Sequence, residues 1–396
     1  MGRRSIPISK PYFNEEDLKA IQIPVKSGWV SQGKFVLEFE KKFADITKSK
    51  YGLAVSSCTS ALHIAVKAMN IRAGDEVIVP GFTWISTANA VEANGGKPVF
   101  CDINPDTFNI DCNKIEEKIT SKTVGLLPVH LFGLCVDMNK IKKIASLNKL
   151  WIVEDCACAF NSYYKNIHAG NFGNISCFSF HPRKSITTGE GGMIITRHRK
   201  LYEKAKSLRN IGYSLKSPEY PFLLPDYDEL GYNYRMTDIQ ASLGLSQLKK
   251  ADKILKYKIK LAKNYNKLLK DFNLFKIPYE HKDYIHSYQS YVVLYNPDNL
   301  STEELITNNN WKRYYRNRNF IMNFLDGDSI KTRPGTHSAA HTKLYSKKYG
   351  IKSTDLPCSF LAEKLSVSLP FYYGMTSEEQ EIVVDKLIYY HKKLSL

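Results

Sequence analysis

The chain has 396 residues, of which 43% are apolar and 24% are charged, and its formal net charge at pH 7 is +17. This length and composition are typical of a globular protein with room for two domains, and they exclude a disordered or low-complexity chain. No apolar run approaches the ~18–20 residues of a membrane span and the first residues lack a secretory signal, so we expect a cytoplasmic protein without a membrane partner.

Apolar, β-rich runs recur between residues 50 and 197, with helical patterns between them. Several runs are apolar throughout, which is typical of strands buried on both faces of a sheet. The alternation therefore predicts an α/β fold with a mostly parallel seven-stranded sheet. The predicted strands are Gly52–Ser56, Glu76–Val79, Pro98–Asp102, Val124–Pro128, Leu150–Val153, Ile175–Ser179 and Met193–Thr196, and the predicted helices are Ala61–Ala68, Trp84–Glu92, Cys112–Ile119 and Met138–Ala145.

The second half of the chain has shorter and more charged elements. A long amphipathic segment runs from Thr237 to about Leu269, and beyond it we expect a strand at Tyr288–Leu294 and helices at Thr302–Arg316 and Ser377–Lys392. We therefore predict a large α/β domain over residues 1–250 and a smaller C-terminal α+β domain over residues 251–396.

Polar residues follow five of the predicted strands at the point where each strand ends. Because ligands bind beyond the carboxyl ends of parallel strands, we expect these residues to share one site. They are Thr59 and Ser60 after the first strand, Trp84 after the second, His130 after the fourth, Asp155 after the fifth, and the run from Ser179 to Lys184 after the sixth.

Lys184 and Asp155 have the most specific chemistry of this group. A lysine beside the Gly-rich turn Gly189–Gly192 can form a Schiff base (aldimine) with an aldehyde cofactor. Asp155 ends a buried strand, where an unpaired carboxylate costs on the order of several kcal/mol and needs a cationic partner. A protonated pyridine nitrogen would serve, and a structural salt bridge is the alternative. Pyridoxal 5'-phosphate (PLP) needs both a lysine and a carboxylate, so the pair predicts a PLP site.

The other residues at this edge fit the same cofactor, although each has a structural alternative. Thr59 and Ser60 precede a predicted helix, whose N terminus suits a phosphate, and a plain helix cap is the alternative. Trp84 is flat enough to stack on a pyridine ring, while a tryptophan at such a place is more often part of the core.

The cysteines and the positive net charge suggest two further functions, metal binding and nucleic-acid binding, which we weigh against the PLP site. Cys156 and Cys158 are separated by one residue only and have no second Cys/His pair nearby, so we expect no metal site. The lysines of the second half are not interleaved with aromatic residues, which favours a solvated surface over a nucleic-acid-binding regulator. The charge would also attract a polyanionic small molecule.

A set of segments in a fixed order is shared with one enzyme family. These segments are Gly28–Gln32, Ser56–Leu62, Gly74–Pro80, Pro128–Gly133, Glu154–Asp155, Ser179–Lys184 with Thr187–Gly192, Gly231–Asp238, Arg333–His337 and Ser368–Pro370. Through them the sequence resembles the DegT/DnrJ/StrS family of PLP-dependent nucleotide-sugar aminotransferases, and its lysine motif is similar to that of perosamine-synthase-like members. The resemblance covers the chain from about residue 7 to 250 and is looser beyond.

The resemblance implies the aspartate-aminotransferase-like fold of PLP enzymes (fold type I) and a homodimer with shared active sites. It implies that Lys184 is the catalytic lysine that carries PLP, that Asp155 binds the pyridine nitrogen and that Trp84 stacks on the ring. It further implies that Thr59, Ser60 and Ser179 lie near the phosphate and that Asn233 reaches it from the partner subunit. Cys158 stands where the family often has Gln or His beside the ring hydroxyl.

The implied reaction moves an amino group from L-glutamate to a nucleotide-linked keto-deoxysugar, with a 4-keto-6-deoxyhexose favoured and a 3-keto sugar as the alternative. His130, Arg235 and His337 are candidate substrate contacts. A related dehydratase branch carries His in place of the lysine, and Lys184 argues against it. A fold-type-I protein that has lost catalysis is a further alternative, against which Lys184 and Asp155 both argue.

Overall fold

A seven-stranded sheet forms the centre of the chain, and its strands coincide with the seven predicted from the sequence. The computed structural model describes residues 5–216, 220 and 222–395. The strands are β1 (Tyr51–Val55), β2 (Glu76–Pro80), β3 (Lys97–Cys101), β4 (Thr123–Leu126), β5 (Trp151–Asp155), β8 (Ile175–Ser179) and β9 (Gly192–Thr196), while β6 (Tyr163–Tyr164) and β7 (Ile167–His168) form a separate hairpin. The spatial order is β1-β9-β8-β5-β4-β2-β3. Only β9 runs antiparallel to its neighbours, so the sheet is mostly parallel as predicted.

Helices cover both faces of this sheet, which explains why its strands are apolar throughout. The helices of this part are α1 (Glu15–Ser27), α2 (Lys34–Thr47), α3 (Cys58–Ala68), α4 (Ser86–Glu92), α5 (Met138–Leu147), α6 (Arg199–Arg209) and α7 (Asp238–Leu248). Val77 and Val79 join the core on one face with α3 and α4, and Ile78 joins the core on the other face with α2, α5 and α7.

Three helix predictions were wrong in detail, and the third of them lies in the C-terminal part described below. The segment predicted as a helix at Cys112–Ile119 forms two short 3-10 turns. Ile115, which lies between the two turns, is the one fully buried residue of the segment, while Cys112 and Ile119 are only partly buried against the same core. The long segment from Thr237 is two helices, because the chain breaks at Lys250, whose ammonium forms a buried ion pair with Asp17.

The C-terminal part is α+β, as predicted. An antiparallel three-stranded sheet, in the order Phe275–Lys276, Tyr291–Tyr295 and Ser366–Leu369, packs with five of the six helices of this part. The remaining helix, Lys343–Tyr349, packs instead on the core of the larger sheet through Tyr345, and the strand Tyr284–Ile285 pairs with β6. The predicted helix at Thr302–Arg316 divides at Asn309, which adopts a left-handed conformation with φ 53°. The elements are α8 (Ala251–Leu269), β10 (Phe275–Lys276), β11 (Tyr284–Ile285), β12 (Tyr291–Tyr295), α9 (Thr302–Thr307), α10 (Asn310–Gly327), α11 (Lys343–Tyr349), α12 (Pro357–Leu365), β13 (Ser366–Leu369) and α13 (Ser377–Lys392). Within the described residues, no helix is long and apolar enough to cross a membrane.

Candidate active site

A cavity of about 670 Å³ opens beyond the carboxyl ends of the strands, where the sequence predicted a site. One wall consists of the residues that follow β1, β2, β5 and β8, including Thr59, Trp84, Asp155, Cys158 and the loop from Ser179 to Lys184. The opposite wall comes from the C-terminal part, through residues 289, 315, 318, 333–337 and 363–364. The site therefore lies between the parallel sheet and the smaller sheet.

Asp155 is a buried carboxylate at the end of β5, with only 3% of its surface exposed. Its Oδ2 accepts a hydrogen bond from Thr87 Oγ1 at 2.8 Å, and its Oδ1 accepts one from the backbone N–H of Ala157 at 3.0 Å. Burial raises the pKa of the Asp155 carboxyl, and these two hydrogen bonds and the charge of Lys184 offset the rise only in part. Asp155 has no salt bridge in the described part of the chain, so a cationic ring nitrogen would satisfy it.

Lys184 reaches the same cavity from the loop between β8 and β9. Its Nζ lies 3.1 Å from Sγ of Cys158, and its backbone N–H donates to the carbonyl of His181 at 2.8 Å. Thr187 closes the loop, because its hydroxyl donates to the carbonyl of Phe180 at 2.8 Å. The amine is thus held at the cavity wall and remains available to react with an aldehyde.

The N terminus of α3 forms another part of the wall. Ser57 caps the helix by accepting the backbone N–H of Ser60 at 3.1 Å. The first amides of an α-helix have no acceptor within the helix, so those of Cys58 and Thr59 suit a phosphate. Gly192 of β9 supports this end, since a Cβ there would lie 2.6 Å from the Ser57 carbonyl and 2.7 Å from the Cys58 nitrogen.

The remaining predicted residues divide into two groups. Trp84, Ser179 and His337 line the cavity, and the rings of Trp84 and His337 lie 5.5 Å apart at 46°. Ser60 does not line it, because its hydroxyl turns to Ser56 and Ser57 at 3.0 and 2.8 Å.

His130 lies outside the cavity lining, which contradicts its prediction as a substrate contact. The side chain is fully buried, with 0% exposed. Its Nδ1 accepts the backbone N–H of Val136 at 3.0 Å, so the ring proton is on Nε2, which donates to Glu154 at 2.9 Å. Both nitrogens are therefore used inside the protein.

His130, Glu154 and Cys156 also lie close enough together to resemble a metal-ligand set. Glu154 already accepts hydrogen bonds from the backbone of residues 170, 172 and 173 and from Ser176, and these bonds together with His130 lower the pKa of its carboxyl. Burial raises the pKa of the Cys156 thiol well above its usual value. A complete hydrogen-bond network and a neutral thiol do not fit a metal site.

Asn233 and Arg235 also lie outside the cavity of a single chain. Asn233 is exposed and forms a backbone bridge with Asn210. Arg235 Nη1 donates to Oδ1 of Asn210 at 2.6 Å. The structure of one chain thus brings neither residue to Lys184.

Among the cavity residues that were not predicted, three polar ones are connected to Lys184 or to each other. Arg183 and Arg333 lie near each other, and the pKa of Arg333 is lowered by burial and then by the charge of Arg183. The Nε of Arg333 is buried without a hydrogen-bond partner among the described residues. Gln289 joins them through its side chain, which donates to the Arg183 carbonyl at 2.9 Å. Arg183 adjoins Lys184 and Arg333 begins a recognised motif, whereas no sequence signal marks Gln289.

Comparisons with known proteins agree with this geometry. Residues 11–388 match the DegT/DnrJ/EryC1/StrS aminotransferase family. GDP-perosamine synthase of Escherichia coli O157:H7 is 36% identical over 345 residues, which cover 87% of this chain and 88% of that protein. The spore coat polysaccharide biosynthesis protein SpsC of Bacillus subtilis is 34% identical over 384 residues, which cover 96% of this chain and 95% of that protein.

Solved structures show the same architecture over nearly the whole chain. Helicobacter pylori PseC, an aminotransferase of pseudaminic acid biosynthesis, superposes with a TM-score of 0.90 at 26% identity, covering 98% of this chain and 100% of that one. Streptococcus pneumoniae Spr1654 in its PLP form has the same fold, with a TM-score of 0.88 at 24% identity over 99% of this chain and 100% of that one.

The sheet with its single antiparallel strand and the cavity at its carboxyl edge are those of a PLP-dependent transferase of fold type I. The chain belongs to the DegT/DnrJ/EryC1/StrS aminotransferase family, and it is a PLP-dependent aminotransferase.

Proposed function

We propose that this chain moves an amino group from L-glutamate to a nucleotide-linked 4-keto-6-deoxyhexose, with Lys184 as its catalytic residue. The observation that carries the proposal is that Lys184 and Asp155, which come from different strands, line one cavity. The lysine offers a reactive amine, and the buried carboxylate lacks a cation. One PLP molecule would supply an aldehyde for the lysine and a cationic ring nitrogen for the carboxylate. When bound, it withdraws electrons from the carbon that loses its proton.

Four groups would hold the cofactor in this cavity. The first-turn amides and the Thr59 hydroxyl at α3, together with Ser179, would bind the phosphate. Trp84 would cover the ring, and Asp155 would keep the ring nitrogen protonated. Cys158, whose Sγ lies beside Lys184, would adjoin the ring hydroxyl as a weak hydrogen-bond partner.

Lys184 has a second task once the donor amine has displaced it. Its free amine is the general base that takes the proton from the donor α-carbon and then returns it to the cofactor carbon that receives the nitrogen. Asp155 supports this step, because a buried carboxylate favours the positive charge of the ring throughout. The same two residues act in reverse when the amino group passes to the ketone.

Arg183 and Arg333 supply an anion site for the donor. Two adjacent guanidinium groups repel each other, and an α-carboxylate between them would offset that repulsion and satisfy the free Nε of Arg333. Their place beside Lys184 suits an amino acid whose α-carbon must face the lysine. We therefore assign L-glutamate, an α-amino acid, to this end of the cavity.

The identity of the acceptor sugar is inferred from the names of related proteins. Three proteins that share at least 30% identity with this chain over most of its length are named GDP-perosamine synthases, which favours a ketone at C4. A 3-keto sugar remains the second candidate. His337 lines the cavity beside Trp84 and is the retained candidate for a substrate contact.

We further propose a homodimer in which the partner completes each site. Asn233 and Arg235 are too far from the cavity of their own chain to line it, while the segment before them exposes apolar side chains. Phe222, Leu224 and Leu230 are 80, 90 and 79% exposed. Covering this surface with a second copy would bury it and bring Asn233 to the neighbouring phosphate site.

The eight unpaired cysteines support a reducing, cytoplasmic compartment.

The proposal is tested by recording the absorbance of the PLP-loaded protein through both halves of the reaction. We expect L-glutamate to abolish the band of the lysine-bound cofactor and a nucleotide-linked 4-keto-6-deoxyhexose to restore it. Loss with glutamate and recovery only with a 3-keto sugar would replace the proposed acceptor. The assignment is overturned if the wild-type protein shows no band of lysine-bound cofactor and its spectrum is identical to that of the Lys184→Ala variant.

A further inference from the structure

Lys258 is a lysine in the apolar stripe of α8. Lys258 lies on the buried face of this amphipathic helix, where the other buried positions follow the helical period. The buried positions are residues 251, 254, 258, 261, 262, 265 and 269. Only 5% of Lys258 is exposed. Its Nζ donates to the backbone carbonyl of Gln289 at 3.1 Å and lies 5.6 Å from the ring centre of Phe371.

The space around Lys258 lies directly behind the loop that bears Lys184. A small cavity of about 20 Å³ is lined by both lysines. The ionisable groups that face it are Arg183 and Lys184 of that loop, Lys10 and Tyr12 near the N terminus, and Tyr372 and Tyr373 after β13. Cys158, after β5, also acts electrostatically on Lys258. No carboxylate is among the residues that line this space, so the ammonium has no ion pair there.

This arrangement is energetically costly. Burial lowers the pKa of Lys258 to about 8, the Cys158 thiol opposes that effect, and Lys184 adds to it. A methionine of similar length would fill the same stripe without the cost of burying a charge. Buried charges that lack a structural partner are concentrated at functional sites, where their field acts on a neighbour.

Lys258 is also connected to the lysine loop by two hydrogen bonds. It binds the carbonyl of Gln289, and the side-chain amide of Gln289 binds the carbonyl of Arg183 at 2.9 Å. Arg183 directly precedes Lys184. Helix α8 is thereby coupled through one residue to the peptide that carries the reactive amine.

We propose that Lys258 is a positioning residue for Lys184, holding the Arg183–Lys184 peptide through Gln289 and placing its own positive charge at the small cavity that the Lys184 side chain also lines. The inference rests on the proposed function, because it concerns the amine that binds PLP. An uncharged amine is the form that attacks an aldehyde and that accepts a proton. A second cation close by in a medium of low dielectric constant makes that form more favourable.

The test uses three variants of the full chain. Lys258→Met removes the charge and the hydrogen bond, Lys258→Gln removes the charge and keeps a donor for the Gln289 carbonyl, and Lys258→Arg keeps both. The first readout is the pH at which the absorbance of the lysine-bound cofactor is half changed, measured without substrate. The second is the thermal midpoint of the cofactor-free protein, and the third is the division of the kinetic effect between kcat and KM.

We expect the absorbance midpoint to rise by roughly one pH unit in Lys258→Met and Lys258→Gln and to stay near the wild-type value in Lys258→Arg. The thermal midpoint of Lys258→Met should be no lower than that of the wild type. The activity loss should appear mainly in kcat.

An unchanged absorbance midpoint in both uncharged variants would overturn the proposal. A lower thermal midpoint in Lys258→Met, together with equal losses of activity in all three variants, would also overturn it. That is the result expected from a purely structural role. If reduction with borohydride fails to attach PLP to Lys184 of the wild type, the proposed function fails instead. The two failures are therefore distinguishable.

Discussion

Asp155 is a single residue at which function and stability oppose each other. Its carboxylate is buried, and the hydrogen bonds from Thr87 and Ala157 only partly offset the cost of burying the charge. Because its folded-state pKa is raised, the protonated form stabilises the fold at low pH, and this stabilisation is lost as the pH rises through the raised value. The ionised form of Asp155 is therefore a buried charge whose cost is offset only in part in the cofactor-free protein.

We predict that Asp155→Asn stabilises the cofactor-free protein at pH 7 while it impairs turnover. The amide keeps the shape of the side chain without the charge, so the free energy of unfolding should rise by about 1–3 kcal/mol. The gain should disappear at a pH low enough to protonate Asp155 in both states. Turnover should fall by about 100-fold or more, because the ring nitrogen loses its anionic partner. Thermal unfolding and steady-state kinetics measure the two effects.

Asp102 provides the matched control for this variant. It is buried to a similar degree, but its carboxylate accepts the amides of Cys358 and Ser359 and pairs with Lys114 at 3.4 Å. Asp102→Asn should therefore destabilise the protein. If both variants lower the thermal midpoint equally, the account of Asp155 as an unpartnered charge is wrong.

His130 shows to what extent the position of a single side chain can be predicted from the sequence. His130 and Asp155 both follow buried strands, and the chain order alone made both candidates for the cavity. Whether a side chain after a strand faces the cavity or the interior depends on the local backbone. His130 turns towards Glu154, which is 24 residues away in the sequence. That direction follows from the tertiary contact and was not predictable from local pattern.

At the scale of the element, the approach of β9 to the start of α3 shapes the proposed phosphate site. The Gly-rich turn and the helix start were both recognisable in the sequence, but their mutual distance was not. Gly192 pairs with Val55 on one side and Ser179 on the other, which leaves its α-carbon against the Ser57–Cys58 peptide. A side chain there has no room.

Gly192→Ala should displace the N terminus of α3. We expect a loss of about 1–3 kcal/mol in the free energy of unfolding from overpacking, and weaker PLP binding because the phosphate amides move. Equilibrium titration with PLP and thermal unfolding would measure both. Gly327→Ala is the control, since nothing lies within 4 Å of its added Cβ. Equal PLP affinity in wild type and Gly192→Ala would refute the role of this helix end.

Regular elements were predicted well where periodicity was continuous and less well where a distant contact interrupts it. The seven strands follow from apolar runs that are buried on both faces. The break between α7 and α8 could not be seen in the sequence, because the buried partner of Lys250 is Asp17, which is 233 residues away. The division into domains at residue 250, which coincides with this break, stays a proposal.

At the scale of the whole molecule, the positive charge is carried largely by exposed lysines rather than by the site. The exposed residues Lys253, Lys256, Lys260, Lys263 and Lys267 of α8 are spaced alternately by three and four positions and so share one face of the helix. The net charge of +17 therefore describes the surface, and the function was predictable only from the ordered motifs.

The prediction at this scale concerns the proposed shared site. Lys184→Ala and Asn233→Ala dimers should each have little activity, and mixing them under conditions of subunit exchange should restore about a quarter of the wild-type activity, since half of the dimers pair one subunit of each kind and contain one intact site of two. Activity after mixing, with size-exclusion chromatography to verify dimers, is the measurement. A mixture no more active than its components would contradict the contribution of Asn233 from the partner.

The central claim is that Lys184 is the residue that carries the cofactor, and covalent trapping tests it most directly. The PLP-loaded protein is reduced with borohydride, digested and mapped by mass spectrometry. We expect the cofactor mass on the peptide that contains Lys184, and no such peptide from the Lys184→Ala variant. Cofactor attached instead to Lys364, another lysine that lines the cavity, or no attached cofactor at all, would contradict this account.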